Sequence, residues 1–225
     1  HQRDASLNTR LWRAVPPPAQ TIHAVHERLL LPAALGAATT DYRLAYVPMD
    51  TELAGARAWV QQHAPGKPLI GFQVASFPTK AYRDWPAESF AELGHRLFAQ
   101  HPDARIVLLG GKESRVKTTW LAQQLGGRAV AVAGQFGLRA TAALMAQLDL
   151  YIGVDTGPTH IAGALGIPMI ALYHCRHRGI HLAPLGHERL AVIEHPAADA
   201  DCTPSAPMAA IAVDSVWDKV RQRLP

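Results

Sequence analysis

The stretch Val154-Asp155-Thr156-Gly157-Pro158-Thr159-His160 gathers a carboxylate, two hydroxyls and an imidazole around a Gly-Pro pair, directly after the apolar run Leu150–Val154. This composition suits a turn from a strand into a helix. Gly157 permits a sharp bend, and Pro158 fits the first helical turn because it has no N–H to leave unpaired. Gly166 and Pro168 then stop the helix about two turns later. The opening N–H groups at Gly157, Thr159 and His160 would point out of the sheet edge, and with the helix dipole they make a place for a phosphate. Thr156 and Thr159 add hydroxyls, and His160 adds a ring donor. A plain turn capped by Asp155 or Thr156 fits the same spacing equally well. Neither the dinucleotide glycine fingerprint nor the lysine-bearing phosphate loop is present. The residues alone thus define an anion site with its ligand left open.

The elements that must position this turn follow from the pattern of apolar residues. Leu69–Gln73, Arg105–Leu109, Ala129–Val132, Leu150–Val154 and Met169–Tyr173 are short, nearly continuous apolar runs and are predicted as strands. Between them, helical periodicity covers residues 87–100, a segment ending near Leu125, residues 138–147 and a short segment ending near Leu165. Apolar strands alternating with amphipathic helices mean a parallel sheet covered on both faces: an α/β, Rossmann-like, doubly wound domain. Upstream, the break Pro16-Pro17-Pro18 precedes a stretch whose Ile22, Val25, Leu29 and Leu30 share a helical face. A second helix spans about Thr51 to His63 and ends at Pro65-Gly66. A final helix, about Met208 to Leu224, follows a Pro- and Asp-rich stretch and is expected to pack away from the sheet. The domain boundaries read as residues 1–48, a tail and interdomain segment; 49–205, the Rossmann-like domain; and 206–225, the C-terminal helix.

Of the 225 residues, 48% are hydrophobic and 18% charged, which supplies a full core and excludes a disordered or nucleic-acid-coating chain. The formal charge of +4 suits anionic substrates or an anionic membrane surface without requiring either. Cys175 and Cys202 are too few for a disulfide framework, and a reducing compartment is the simpler expectation. No apolar run reaches the roughly 20 residues that span a bilayer. The chain opens at His1-Gln2-Arg3-Asp4 with no initiator Met, as part of a longer protein would.

Residues 149–173, with Asp155-Thr156-Gly157-Pro158-Thr159-His160 and Ala164-Leu165-Gly166-Ile167-Pro168, resemble the signature of glycosyltransferase family 9. Pro78-Thr79-Lys80 before Trp85-Pro86, then Phe90-Ala91-Glu92-Leu93 and Leu108-Leu109-Gly110-Gly111, fall in the family's order. His23-Ala24-Val25-His26-Glu27-Arg28 resembles the segment that enters the second domain in the heptosyltransferase branch, and Val216, Val220 and Leu224 match the family's final helix. The resemblance implies the C-terminal half of a GT-B glycosyltransferase, in which two Rossmann-like domains face each other across a cleft. It implies an inverting transfer of heptose from an ADP-heptose-like nucleotide sugar to a lipopolysaccharide core acceptor, at the cytoplasmic face of the inner membrane, with peripheral membrane contact and no nucleic acid. A relative using another nucleotide sugar, or a nucleotide-binding module without turnover, stands as the alternative.

The same resemblance places the general base upstream of His1, so that this chain by itself is expected to be inactive. It places the donor diphosphate on Thr79, Lys80, Arg83, Asp155, Thr156, Gly157 and His160. Lys80 fits the Pro-Thr-Lys pattern and is preferred as the cation, while Arg83 fits the distance to Trp85. Counting back from Asp155 puts Phe136 against the donor's base, with a loop anchor as the other reading; Glu113, after Gly110-Gly111, accepts from the ribose hydroxyls or begins a helix. No metal or cofactor is implied. The loop after the fifth strand departs from the family's Gly-Pro-Thr-Asp-Pro-like pattern: here it reads His174-Cys175-Arg176-His177-Arg178-Gly179-Ile180-His181. Its three His and one Cys invite a zinc reading, but their spacing matches no closed structural site. A basic loop facing phosphate or an anionic acceptor, or a solvated loop, fits better.

Overall fold

The computed structural model describes residue 15 and residues 18–197 and 201–224; the opening His1-Gln2-Arg3-Asp4 and two residues of the proline break, Pro16 and Pro17, lie outside the described residues. Six strands form one sheet: β1 (Leu69–Gln73), β2 (Arg105–Leu109), β3 (Ala129–Ala131), β4 (Leu150–Val154), β5 (Met169–Tyr173) and β6 (Leu190–Glu194). Their order is β3-β2-β1-β4-β5-β6, and every neighbouring pair is parallel. This is the Rossmann order, whose direction of winding reverses between β1 and β4. Five strands stand where the apolar runs place them. β6 was not anticipated: it has a mixed burial pattern because it is the edge strand, and so lacks a continuous apolar run.

Alternate residues of the strands feed two separate cores, as the twofold period of a pleated sheet requires. Ile70, Phe72, Ile106, Leu108, Ile152 and Leu172 pack on one face with Phe90, Leu93 and Leu97 of α3 (Ala87–Gln100) and with Leu121 of α4 (Arg115–Leu125). Leu69, Val107, Leu109, Tyr151, Met169 and Tyr173 pack on the other. There they meet Trp59 of α2 (Asp50–His63), Leu144 of α5 (Leu138–Met145) and Ala162 of α6 (Gly157–Ala164).

One expectation about the flanking helices is corrected. The last helix, α8 (Val213–Arg221), does not pack away from the sheet. Val216 and Val220 are fully buried in the cluster of Phe90 and Leu97, and Arg96 of α3 pairs with Asp214 at 2.6 Å. Its apolar residues recur every fourth position, and the groove beside α3 is the apolar surface that accepts them. By contrast, α1 (Ala24–Ala34) buries no residue fully, and Leu30 of its apolar face and the adjacent Leu31 are 37% and 48% exposed. It is moored by the His23 ring, whose Nε2 lies 2.9 Å from the Ala183 carbonyl. No helix among the described residues is long and apolar enough to cross a membrane.

Cys175 and Cys202 are joined by a disulfide, against the expectation of reduced thiols. Counting cysteines could not reveal this. The two lie 27 residues apart and come together because β5 and β6 pair in register, so that the segments leaving their carboxyl ends run side by side.

Candidate functional site

The carboxyl ends of β1 and β4 mark the point where the strand order reverses, and a crevice there is where open α/β sheets bind their ligands. Two segments meet at it: the one leaving β1, Val74 to Arg83, and the one leaving β4, Asp155 to His160.

The first segment leaves the sheet as Val74-Ala75-Ser76, all buried, and turns through a short 3-10 helix, Pro78–Arg83. Ser76 makes the turn rigid. Its N–H and its hydroxyl both reach Asp84 Oδ1 at 2.7 Å, and the hydroxyl also lies 2.7 Å from the Lys80 carbonyl. The other Asp84 oxygen takes Lys117 Nζ at 2.8 Å. The adjacent Trp85 is fully buried and donates its indole N–H to the Ile211 carbonyl. The turn therefore stands on a fixed base and presents Thr79 and Lys80, both exposed, and Arg83, which is half-buried.

The second segment forms the predicted turn. Thr156 occupies the N-cap position of α6 and Pro158 its first turn, but neither Thr156 nor Asp155 caps the helix with its side chain. The Thr156 carbonyl accepts from the Thr159 N–H at 3.0 Å and from the His160 N–H at 3.4 Å. Two of the three amides expected to face a ligand are thus spent inside the turn, because a tight first turn closes on its own carbonyl. The N–H groups of Thr156 and Gly157 make no hydrogen bond among the described residues, and Gly157 is exposed. Thr159 is also withdrawn from ligand duty: it is fully buried, and its hydroxyl bonds the Val154 carbonyl at 2.6 Å and the Tyr151 hydroxyl at 2.9 Å. Burial pushes the Tyr151 phenol well above its ordinary pKa, so it remains a neutral hydroxyl that locks the turn to the sheet.

Asp155 connects the two segments. Its side chain is 6% exposed, with Arg83 Nη1 at 2.6 Å from Oδ2 and His160 Nε2 at 3.6 Å from Oδ1. Asp155 thus faces the Arg83 guanidinium and the His160 ring rather than open solvent and fixes where they stand. Lys80 and Arg83 differ accordingly. Arg83 is held by a carboxylate across 72 residues of sequence, with its Nε buried and unpartnered, while Lys80 stands exposed on the same turn. A salt bridge with both side chains this buried survives only with close geometry, which 2.6 Å provides.

Glu113 and Phe136 lie on the neighbouring loops after β2 and β3. Gly134, at φ 65°, allows the second loop to press against Lys112: a Cβ there would meet the Lys112 Cα at 2.7 Å. Glu113 is exposed in a 3-10 turn, Lys112–Ser114. Phe136 meets Trp59 edge-on, with centroids 5.7 Å apart, beside a groove of about 580 Å³ lined by Gly55, Ala56, Trp59, Leu138 and Leu144. The two residues are thus on adjacent loops at the same sheet edge, and Phe136 also anchors its loop.

The basic loop after β5 reaches this edge by routes the sequence did not reveal. His177 Nε2 and the Tyr82 hydroxyl are joined at 2.6 Å, which ties the loop to the Lys80–Arg83 turn. His174, fully buried, directs Nε2 at the Ala206 carbonyl at 3.0 Å, and Nδ1 accepts from the Arg176 N–H at 3.2 Å. Burial lowers the pKa of both rings, so both are neutral at neutral pH. The zinc reading takes a different form here. The ligand atoms of His174, Cys175 and Cys202 lie within 4.8 Å of one another, while His177 and His181 fall outside that group; both sulfurs are spent in the disulfide, which leaves no thiolate to bind a metal. Tyr82, Ser76, Asp84 and Tyr151 were missed at the sequence level. Tyr82 lies between Lys80 and Arg83, but its partner is 95 residues away.

Comparison with known proteins bears on the same architecture. Residues 2–207 match the family model described as glycosyltransferase family 9 (heptosyltransferase). A curated relative, the lipopolysaccharide core heptosyltransferase OpsX of Haemophilus influenzae, is 30% identical over 116 residues, which cover 49% of this chain and 32% of OpsX. Among solved structures, a family 9 glycosyltransferase from Veillonella parvula superposes with a TM-score of 0.76 at 20% identity, covering 92% of this chain and 61% of that one. The E. coli heptosyltransferase WaaC with ADP gives 0.64 at 20% identity, covering 91% and 58%. The chain spans about a third of the length of OpsX and under two thirds of either structure. At these identities the structural likeness establishes the fold, that of GT-B glycosyltransferases of family 9.

Proposed function

The chain belongs to glycosyltransferase family 9, and from that premise we propose that it is the donor-binding part of an inverting heptosyltransferase, acting on an ADP-heptose-like nucleotide sugar and a lipopolysaccharide core acceptor. The observation that carries this reading is the Arg83–Asp155 pair. It clamps a basic turn against the start of α6 at the point where the sheet's winding reverses.

A departing nucleoside diphosphate gathers negative charge, and groups fixed in advance toward that charge stabilise the transition state most. The Thr156 and Gly157 amides, aided by the dipole of α6, receive one phosphate; Lys80 and Arg83 supply positive charge from the facing turn, with Thr79 at its start. Asp155 holds Arg83 and His160 in position and does not touch the anion. Phe136 offers an aromatic edge to the nucleobase, and Glu113 accepts from ribose hydroxyls. Inversion also needs a base on the opposite side of the sugar to take the acceptor's proton. On this reading that group belongs to the acceptor domain, of which residues 1–48 hold the tail and the interdomain segment, and residues 49–205 bind donor without turnover. Our reading puts the reaction at the cytoplasmic face of the inner membrane, where a formal charge of +4 suits an anionic acceptor.

Titration calorimetry with ADP, UDP and GDP tests the proposal. Binding that prefers ADP supports it, and silence from all three sinks it. A preference for UDP or GDP would favour the second reading, a relative using another nucleotide sugar. The feature that recommends that reading is the loop His174–Gly179, which departs from the family pattern where a sugar would sit.

A further inference from the structure

The Cys175–Cys202 bridge has no part in the donor chemistry, yet it closes the loop that touches the donor turn. Cys175 is the second residue after β5 and is 6% exposed. Cys202, half-buried, lies between the segment after β6 and the exposed residues 203–205. Along the chain from Cys175, His177 is the next-but-one residue, and its ring holds Tyr82 at 2.6 Å. Tyr82 in turn packs edge-on against His174, with centroids 5.2 Å apart, and belongs to the same short helix as Lys80 and Arg83. A continuous path therefore runs from the disulfide through His174 and His177 to Tyr82 and the two cations. On the far side of the bridge, residues 206–211 stay fixed without it, by His174 to Ala206, His195 to Pro207 and Trp85 to Ile211. Opening the bridge would thus loosen the short span around Cys202 and remove one tie from the loop that carries His174 and His177, which keep their bonds to Ala206 and Tyr82.

We propose that Cys175–Cys202 is a thiol–disulfide exchange site that responds to dithiols and sets the geometry of the donor turn; the second half of this statement rests on the donor-site reading above. The chemistry balances with a dithiol as two-electron reductant. A thiolate of the dithiol attacks Cys202 Sγ, the more accessible sulfur, and the S–S bond breaks to release the Cys175 thiolate. The second sulfur of the dithiol then displaces Cys202 and closes its own disulfide, and the two protons of the dithiol end on Cys175 and Cys202. His174 Nδ1, which accepts from the Arg176 N–H, lies 3.8 Å from Cys175 Sγ, so the new thiol forms directly beside that ring. A sufficiently strong dithiol opens the clamp and oxidation closes it, the kind of role a disulfide formed transiently inside cells serves.

The test uses the chain equilibrated with glutathione disulfide or with dithiothreitol. Masses after alkylation of free thiols should show both cysteines blocked in the oxidised sample and both modified in the reduced one. Hydrogen exchange should rise on reduction in residues 174–178 and, through Tyr82, in residues 78–83. ADP should bind the reduced form about fivefold more weakly, the low end of a coupling between two sites. The Cys175→Ser/Cys202→Ser double variant should behave as the reduced form under both conditions. Failure of the bridge to form, or exchange in residues 78–83 that ignores the redox state, overturns the proposal. Should exchange respond while ADP binds neither form, the exchange site stands and the donor reading falls.

Discussion

Two loops leave neighbouring parallel strands at the same edge of the sheet and are built in opposite ways. Beyond Asp155, which meets Arg83 and the Leu172 carbonyl, the turn after β4 is held by residues within eight positions of one another: Thr159 to Val154 and Tyr151, and the Thr156 carbonyl to Thr159 and His160. The loop after β5 is held from afar, by a disulfide to Cys202, a bond from His177 to Tyr82 and one from His174 to Ala206. A locally closed turn presents backbone groups that do not move, as suits a group that must stabilise developing charge without reorganising. A remotely held loop moves when any of its partners does, as suits a part that adapts to a ligand or responds to a signal.

The two designs should fail differently. Replacing Arg83 with Met leaves the Asp155 carboxylate buried without its close cation, and a loss of about 3 kcal/mol in stability is expected from urea unfolding. ADP binding should also disappear from calorimetry. Retention of both would mean that the pair does not organise the crevice. Thr159→Val removes the hydroxyl that pins the β4 turn and should cost about 2 kcal/mol, because the Tyr151 hydroxyl loses its partner in the core. Hydrogen exchange should then rise in the β4 turn and remain unchanged in the β5 loop.

Tyr82→Phe, which cuts the remote tie, should cost only about 1 kcal/mol. Here exchange should rise in both the β5 loop and the Lys80–Arg83 turn; a change confined to one of them would break the proposed link. Acidification probes the same loop. Burial lowers the pKa of His174 and His177 in the folded chain, so the unfolded chain takes up protons first. Their contribution is complete above the unfolded histidine value of about 6.5 and is lost as pH falls through the lower folded values. The melting temperature should drop between pH 7.5 and pH 5, and a His177→Gln variant should flatten the drop. Lys80→Met should have the smallest effect on the fold, within about 0.5 kcal/mol for an exposed side chain. If Lys80 contacts the diphosphate, the variant should still weaken ADP binding and reduce its dependence on salt.

The sequence by itself determined what rests on local pattern and nearest neighbours in the chain. Five of the six strands, the helices between them and the turn at Asp155–His160 follow from apolar periodicity and from Gly157 and Pro158 at the required positions, and those signals complete themselves within a dozen residues. Only the tertiary structure decided what rests on side chains meeting across the sheet. The Arg83–Asp155 pair spans 72 positions, the Tyr82–His177 bond 95, and the Cys175–Cys202 bridge 27. Their formation depends on which strands become neighbours, and a periodicity carries no record of that. The same distinction explains α8: its apolar stripe was legible, but the α3 surface that receives it exists only once the sheet has assembled.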